Sequence, residues 1–395
     1  MNTLRLHPLV QGRQWLGVLA LSCLFAPLTA VAQTQPTEEV KSVDAPANEG
    51  PDPFEKPEQR ERVAPLQWVE DDAGGEVKAA GSTTTVWQAT PGVAAGGRAD
   101  ARANARAKAA FPAAWAELEA MDRMIENGEI DLDTQINNKQ PGSRLPKIPL
   151  ANPRQFVPLG TAGVFTRYSG NINTQMWQFS PWNKIGKLYF TTPTGGSSYC
   201  TANVISQRNI LVTAAHCLYT RGQGWHRNFR FVPADRYGVA PYGVYGWQSA
   251  GIMTNWITIG GRRWDVGMIR LGNNLSTGIP VTSYVGWLGR TWNQPYIMSL
   301  HSVGYASNLS TQYTHICAAE SFNGGLDVLA KGCDMTYGSS GGGWLLRYHP
   351  YSSSTTHNYV TGVTSGPHPA GFGTTYVRPR FSSANFVPLC NSYGC

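Results

Sequence analysis

Acidic side chains are nearly missing from the last 245 residues of this 395-residue chain: positions 151–395 hold 5 acids against 17 basic residues. Positions 33–150 are the reverse, with 20 acids against 13 bases. So few carboxylates leave little to ligate calcium or another hard cation, and neither a metal nor an organic cofactor is expected. The basic excess does not indicate nucleic acid, because within 151–395 only Arg262 and Arg263 are adjacent and no nucleic-acid motif is present. No C-x2-C with neighbouring histidines occurs, which argues against a zinc module. Beyond residue 32 there is no apolar run of the roughly 20 residues that a spanning helix needs, so no membrane association is expected of the mature protein.

What the first 32 residues contain is a leader pattern. Arg5 and Arg13 precede an apolar stretch from Trp15 to Leu28, and Ala30-Val31-Ala32 supplies small residues before Gln33. That order predicts a signal peptide over 1–32 with cleavage after Ala32, hence a secreted product, extracellular or periplasmic. Cys23 lies inside the leader, where the apolar run continues past it, and the residues before it do not suit a lipoprotein site. The other six cysteines, an even number in an exported chain, predict disulfides, with sequence neighbours suggesting Cys200 with Cys217, Cys317 with Cys333, and Cys390 with Cys395.

The charge contrast between the two parts suggests that an acidic segment docks on a basic one and is later lost, as a pro-region would be. Positions 33–150 are therefore read as a pro-region. Its 33–97 portion, rich in Pro, Glu, Ala, Gly and Thr, is expected to be largely disordered. An Ala/Arg-rich stretch to Phe111, a break at Pro112, and Trp115, Leu118, Met121 and Ile125 at helical spacing predict a short helix pair ending near Asn127. A Pro-rich linker follows over 141–158, with Lys147 or Arg154 as a processing point.

From there the pattern changes to short strands. "IGKLYFT", "SYCTANVI", "NILVTAA", "FRFVP", "DVGMIRL" and "PYIMSLHSVGY" cluster or alternate β-branched and aromatic residues between Gly, Asn, Pro and Ser. No long helical period interrupts them, so positions 151–395 are expected to form an all-β barrel or sandwich, many short strands suiting a pair of small barrels.

Acyl transfer requires a hydroxyl, a base, an anion to orient the base, and amide donors for the oxyanion. "NILVTAAHC" ends an apolar strand in His216, pinned by Cys217. "RWDVGMIRL" sets Asp265 at the head of an apolar strand, where an acid is costly unless hydrogen-bonded. "CDMTYGSSGGGW" sets Ser340 among glycines between Cys333 and Trp344, with the Gly338 and Ser340 amides as oxyanion donors.

Together these stretches resemble the chymotrypsin-like serine peptidases over about 160–390, in the family's own order of His, Asp and Ser. The resemblance implies a fold of two six-stranded antiparallel β-barrels, with His216 as general base, Asp265 as its orienter and Ser340 as nucleophile, acting on protein or peptide substrates as a monomer. The short interval from Asp265 to Ser340 and the "VGYASN" turn are similar to the compact bacterial glutamyl-endopeptidase-like branch. Ser339 stands where animal zymogens carry the acid that pairs with a freed N-terminus, so that switch is not expected. Asp334, six residues before Ser340, stands where trypsins hold the acid that selects Arg or Lys; the other reading is a structural acid bonding nearby amides. Thr364 and Ser365 fall on the strand that lines the substrate pocket, Ser365 through its backbone. The alternative is a catalytically inactive homologue acting as a peptide-binding or adhesion module.

Overall fold

The β-branched and aromatic stretches from Ile185 onward form strands, as their pattern predicts. The computed structural model describes residues 39–67, 92–93, 101–127, 129, 165–169, 176–352, 354–368 and 374–395. The leader over 1–32 with Cys23, and the linker over 141–158 with Lys147 and Arg154, lie outside the described residues. Glu38–Cys395 cluster as one unit.

In chain order the strands are β1 Val40–Asp44, β2 Thr166–Ser169, β3 Ile185–Thr191, β4 Ser197–Ser206, β5 Ile210–Thr213, β6 Tyr219–Thr220, β7 Gly224–Trp225, β8 Arg227–Pro233 and β9 Tyr245–Met253. They continue as β10 Gly267–Asn274, β11 Gly289–Arg290, β12 Ser299–Gly304, β13 His315–Asn323, β14 Val328–Gly332, β15 Gly343–Leu346, β16 Tyr359–Val363, β17 Gly366–Pro367 and β18 Thr375–Pro379. The first sheet runs β1-β9-β10-β5-β4-β3-β8, and β8 returns to β9, so six antiparallel strands close into a barrel. Closure is by one bridge, Phe231 with Tyr245, which leaves the rest of that β9 edge unpaired by β8. Its interior face carries Leu188, Val204, Leu211, Phe231, Ile252 and Ile269, all fully buried.

The second sheet runs β11-β16-β15-β12-β13-β14-β18-β17, with β2 added to β13. It curls until its ends meet, but a continuous ladder does not join β16 to β18. Two single bonds span that edge, Ser365 N to Val377 O at 3.0 Å and Phe381 N to Thr361 O at 3.3 Å. The expected second barrel is thus a curled sheet whose closure is local. The cysteines pair as their spacing suggests: Cys200 with Cys217, Cys317 with Cys333, and Cys390 with Cys395.

The stretch expected to be disordered departs from expectation in its described parts. Val40–Asp44 pairs residue for residue with Ser249–Met253, taking the length of β9 that β8 leaves unpaired. Low apolar content cannot fold such a segment alone, but an available strand edge supplies the missing backbone partners. Glu49 and Asp52 then hold Arg230 at 2.8 and 2.6 Å. The helix pair forms at Ala101–Ala110 and Pro112–Glu126. Its Trp115 packs edge-on to Trp177, centroids 4.8 Å apart. Asp122 meets Arg236 at 2.7 Å, both side chains almost wholly buried, and also accepts from Trp177 Nε1.

Breaking a buried pair leaves a charge without its partner, at a cost of about 3–5 kcal/mol. Asp122→Ala is accordingly expected to lower the unfolding free energy of the full chain by that amount in urea titration. A loss under about 1 kcal/mol would mean that the helix pair is only lightly attached.

Candidate functional site

The apolar run of β5 ends at Ala214, and a single turn, Ala215–Cys217, carries His216 between that strand and the disulfide to Cys200 on β4. Both ends of the turn are fixed, so the imidazole has little freedom. Asp265 follows the turn Arg262–Trp264 and precedes β10. It is fully buried and gives both carboxylate oxygens to one residue: Oδ1 accepts from His216 N at 2.9 Å and Oδ2 meets His216 Nδ1 at 2.7 Å. Ser365 Oγ donates to the same Oδ2. Arg262 Nη1 donates to Ser365 O at 3.0 Å and reaches its Oγ at 3.3 Å.

Burial pushes the Asp265 carboxyl up, yet His216, its hydrogen bond, Arg262 and the Ser365 hydroxyl together outweigh it and hold it below the usual carboxylate range. An ionised carboxylate only accepts, so Nδ1 of His216 must be the donor, and in the neutral ring Nε2 then carries the lone pair. Nε2 is buried and makes no hydrogen bond among the described residues.

Ser340 lies on the turn between Tyr337 and β15. Gly338 and Gly341 adopt φ of +84° and +79° there, which side chains rarely accept. A Cβ on Gly341 would strike Thr213 Oγ1 and Thr201 O, and one on Gly338 would come within 2.7 Å of the Tyr199 ring. Strand β4 holds the turn at three points: Thr201 N to Ser340 O at 2.8 Å, Thr201 Oγ1 to Gly338 O at 2.8 Å, and Asn203 Nδ2 to Gly341 O at 2.8 Å. From the second sheet, Gly341 N donates to Thr364 O and Thr364 N to Gly342 O, each at 2.8 Å. The Ser340 turn is therefore beside Thr213 and Ala214, which lead to His216, and joined through Thr364 and Ser365 to Asp265. Ser340 itself is fully buried.

Thr364 Oγ1 accepts from Trp344 Nε1 at 2.9 Å. Ser365 N donates to Val377 O, and its O accepts from Arg262. Asp334 Oδ2 lies 3.3 Å from Arg167 Nε on β2, and its main-chain O accepts from Asn308. Burial raises the Asp334 carboxyl above its ordinary value and Arg167 offsets only part of this. Arg262 and Asn203 were not singled out by sequence. Arg262 was legible only as half of an adjacent basic pair, and an Asn inside a strand offers no signal beyond being polar where apolar residues dominate.

No family model matches the chain. A stretch of 123 residues is 29% identical to an extracellular metalloprotease of Bacillus subtilis (strain 168), covering 31% of this chain. The chain spans 37% of that protein's length. In shape it is similar to the protease Anisep from Arthrobacter nicotinovorans, at 25% identity and TM-score 0.48 over 58% of this chain and 99% of that one. It is also similar to AL20, a thermostable serine protease from an extremophilic microorganism, at 26% identity and TM-score 0.48 over 54% and 98% of the two chains. A Glu endopeptidase crystallised with MPD gives 19% identity and TM-score 0.46 over 59% and 98%.

Two groups of metal-ligand type occur among the described residues, Cys200 with His216 and Cys217, and Cys317 with Cys333 and Asp334. All four cysteines are in disulfides, so none offers a thiolate, and His216 Nδ1 faces Asp265. This donor set does not fit a metal centre.

Buried histidines beside and beyond the site set an acid limit. Burial lowers His226, stacked on Phe190 and bonded to Cys217 O, to about 3, and His315 to about 4. The unfolded chain takes up these protons near pH 6.5, the folded chain only near 3 to 4, so stability falls as pH drops through that window. Burial lowers His301 to about 4 as well, and three such groups give a slope of up to about 4 kcal/mol per pH unit. Urea titrations from pH 7 to 4 should show it, and His226→Gln should reduce the slope by about a third; an unchanged slope would place the titration elsewhere.

Proposed function

We propose that the chain is an exported serine endopeptidase. Support comes first from one observation: a fully buried carboxylate, Asp265, binds both the backbone N and the Nδ1 of His216, while Nε2 makes no hydrogen bond among the described residues. In this reading Ser340 Oγ attacks the peptide carbonyl carbon while its proton passes to Nε2. The Asp265 carboxylate holds the tautomer and stabilises the imidazolium. The Gly338 and Ser340 amides receive the oxyanion, and the imidazolium then returns its proton to the leaving amine. Water repeats the sequence on the ester and frees Ser340.

Ser340 is fully buried in the full-length chain, and we read that as a closed state. We assign 33–150 as a pro-region and its processing as the step that opens the cleft, whether or not every part of it then leaves. Export is supported by three disulfides and by the extracellular relative; none of the described helices is long and apolar enough to cross a membrane. No step is routed through a metal.

A fluorophosphonate probe followed by peptide mapping tests the enzyme. Labelling at Ser340 is expected, faster in processed than in full-length protein, and Ser340→Ala should lower kcat on the order of 10⁶-fold. No labelling of processed protein would sink the enzyme and leave the inactive binding homologue.

Selection of Arg or Lys by Asp334 would need the incoming cation to displace Arg167. The geometry favours Asp334 as an anchor of the turn between Cys333 and Ser340, paired with Arg167. Cleavage profiling on a peptide library is therefore expected to give the same preference for Asp334→Asn as for the unmodified protein. Selective loss of cleavage after Arg and Lys would restore the acid to the pocket.

A further inference from the structure

Directly behind the Ser340 turn lies an aromatic box. Tyr189, Tyr199 and Tyr305 surround Lys187 Nζ at 5.7, 5.1 and 5.3 Å from their ring centroids. Lys187 pairs with the buried Asp235 at 3.1 Å, which also accepts from Tyr189 Oη at 2.9 Å. The box is closed from the N-terminal segment. Phe54 is fully buried and stacks on Tyr189 at 5.5 Å. Asp52 caps Phe54 N at 2.8 Å and binds Arg230, while Arg60 bonds Phe54 O at 2.7 Å and Gly238 O at 2.8 Å. Further along, Leu66 N donates to Tyr199 O at 3.0 Å and Ser198 Oγ to Ala64 O at 3.1 Å.

Tyr199 and Tyr305 are also the two residues against which Gly338 is pressed, with no room for a Cβ. Two positions beyond Tyr199 on β4, Thr201 carries the bonds to Gly338 O and Ser340 O. Ser339, beside the nucleophile, directs its hydroxyl to Thr336 O at 2.7 Å. A chain of close contacts thus runs from Phe54 through Tyr189 and Tyr199 to the turn.

We propose that Asp52–Leu66 is a plug that orders the Gly338–Ser340 turn, with Phe54 as its positioning residue, and that it stays with the enzyme when the rest of 33–150 is removed. This rests on the peptidase reading above. Removing the Phe54 ring leaves a void beside Tyr189 and Tyr199, and close-packed neighbours respond by shifting.

Phe54→Ala and Phe54→Leu are compared with the unmodified full-length chain by hydrogen exchange and by the rate of Ser340 acylation with a small fluorophosphonate. Phe54→Ala is expected to speed exchange of the Gly341 and Gly342 amides at least about tenfold while Val328–Gly332 stays unchanged. Acylation should slow by about tenfold or more, and Leu should restore most of both. Peptides from 52–66 should be recovered with the labelled, processed enzyme. Exchange that is unchanged, or that rises equally throughout the molecule, overturns the plug, as does labelled enzyme lacking 52–66. If the unmodified chain is not acylated even after processing, the peptidase reading fails, and the exchange comparison alone still decides whether Phe54 orders the turn.

Discussion

Much of the structure is arranged around a single desolvated charge. Asp265 has no solvent exposure, and an ionised carboxylate in that position is untenable unless each lone pair meets a donor. The donors come from both sheets. His216, at the end of β5, supplies a backbone amide and a ring nitrogen, and Ser365, between β16 and β17, supplies a hydroxyl backed by Arg262. Satisfying the charge therefore ties the two sheets together at this point. The same bonds leave His216 in the one tautomer whose second nitrogen is able to take a proton.

The Ser340 turn faces a complementary constraint. Glycines at positive φ make it cheap to bend and also easy to disorder. Its rigidity must come from neighbours, and β4 provides most of it through Thr201 and Asn203, with Thr364 on the far side. Strand β4 in turn is clasped by residues 64–66, and its Tyr199 ring lies in the box closed by Phe54. An N-terminal segment that is poor in apolar residues is in this way part of the scaffold, joined by a strand pairing, two carboxylate–arginine contacts and one buried ring.

The strands, the helix pair and the cysteine pairs were legible because their signals are local: alternation, 3.6-residue spacing, and short separation. His216, Asp265 and Ser340 each sit in a distinctive short motif, and the sequence proposes them on that ground. The order within 39–67 was not, since β1 is a strand only because β9 has a free edge beside it. Arg262, Asn203 and Phe54 were also hidden, as each acts across more than 100 residues of sequence. The partners of Thr364 and Ser365, namely Trp344, Asp265, Arg262 and Val377, were hidden as well.

The sequence by itself determined the all-β class, the disulfide partners and the identity of the three residues proposed for chemistry, because composition, spacing and motif are properties of neighbours along the chain. Tertiary structure alone decided which side chain meets the Asp334 charge, which groups neutralise Asp265, and what supports the turn bearing Ser340. Those are questions of burial and of distance through space, and a buried charge or a positive-φ turn takes its partners from whatever the fold brings within about 3 Å.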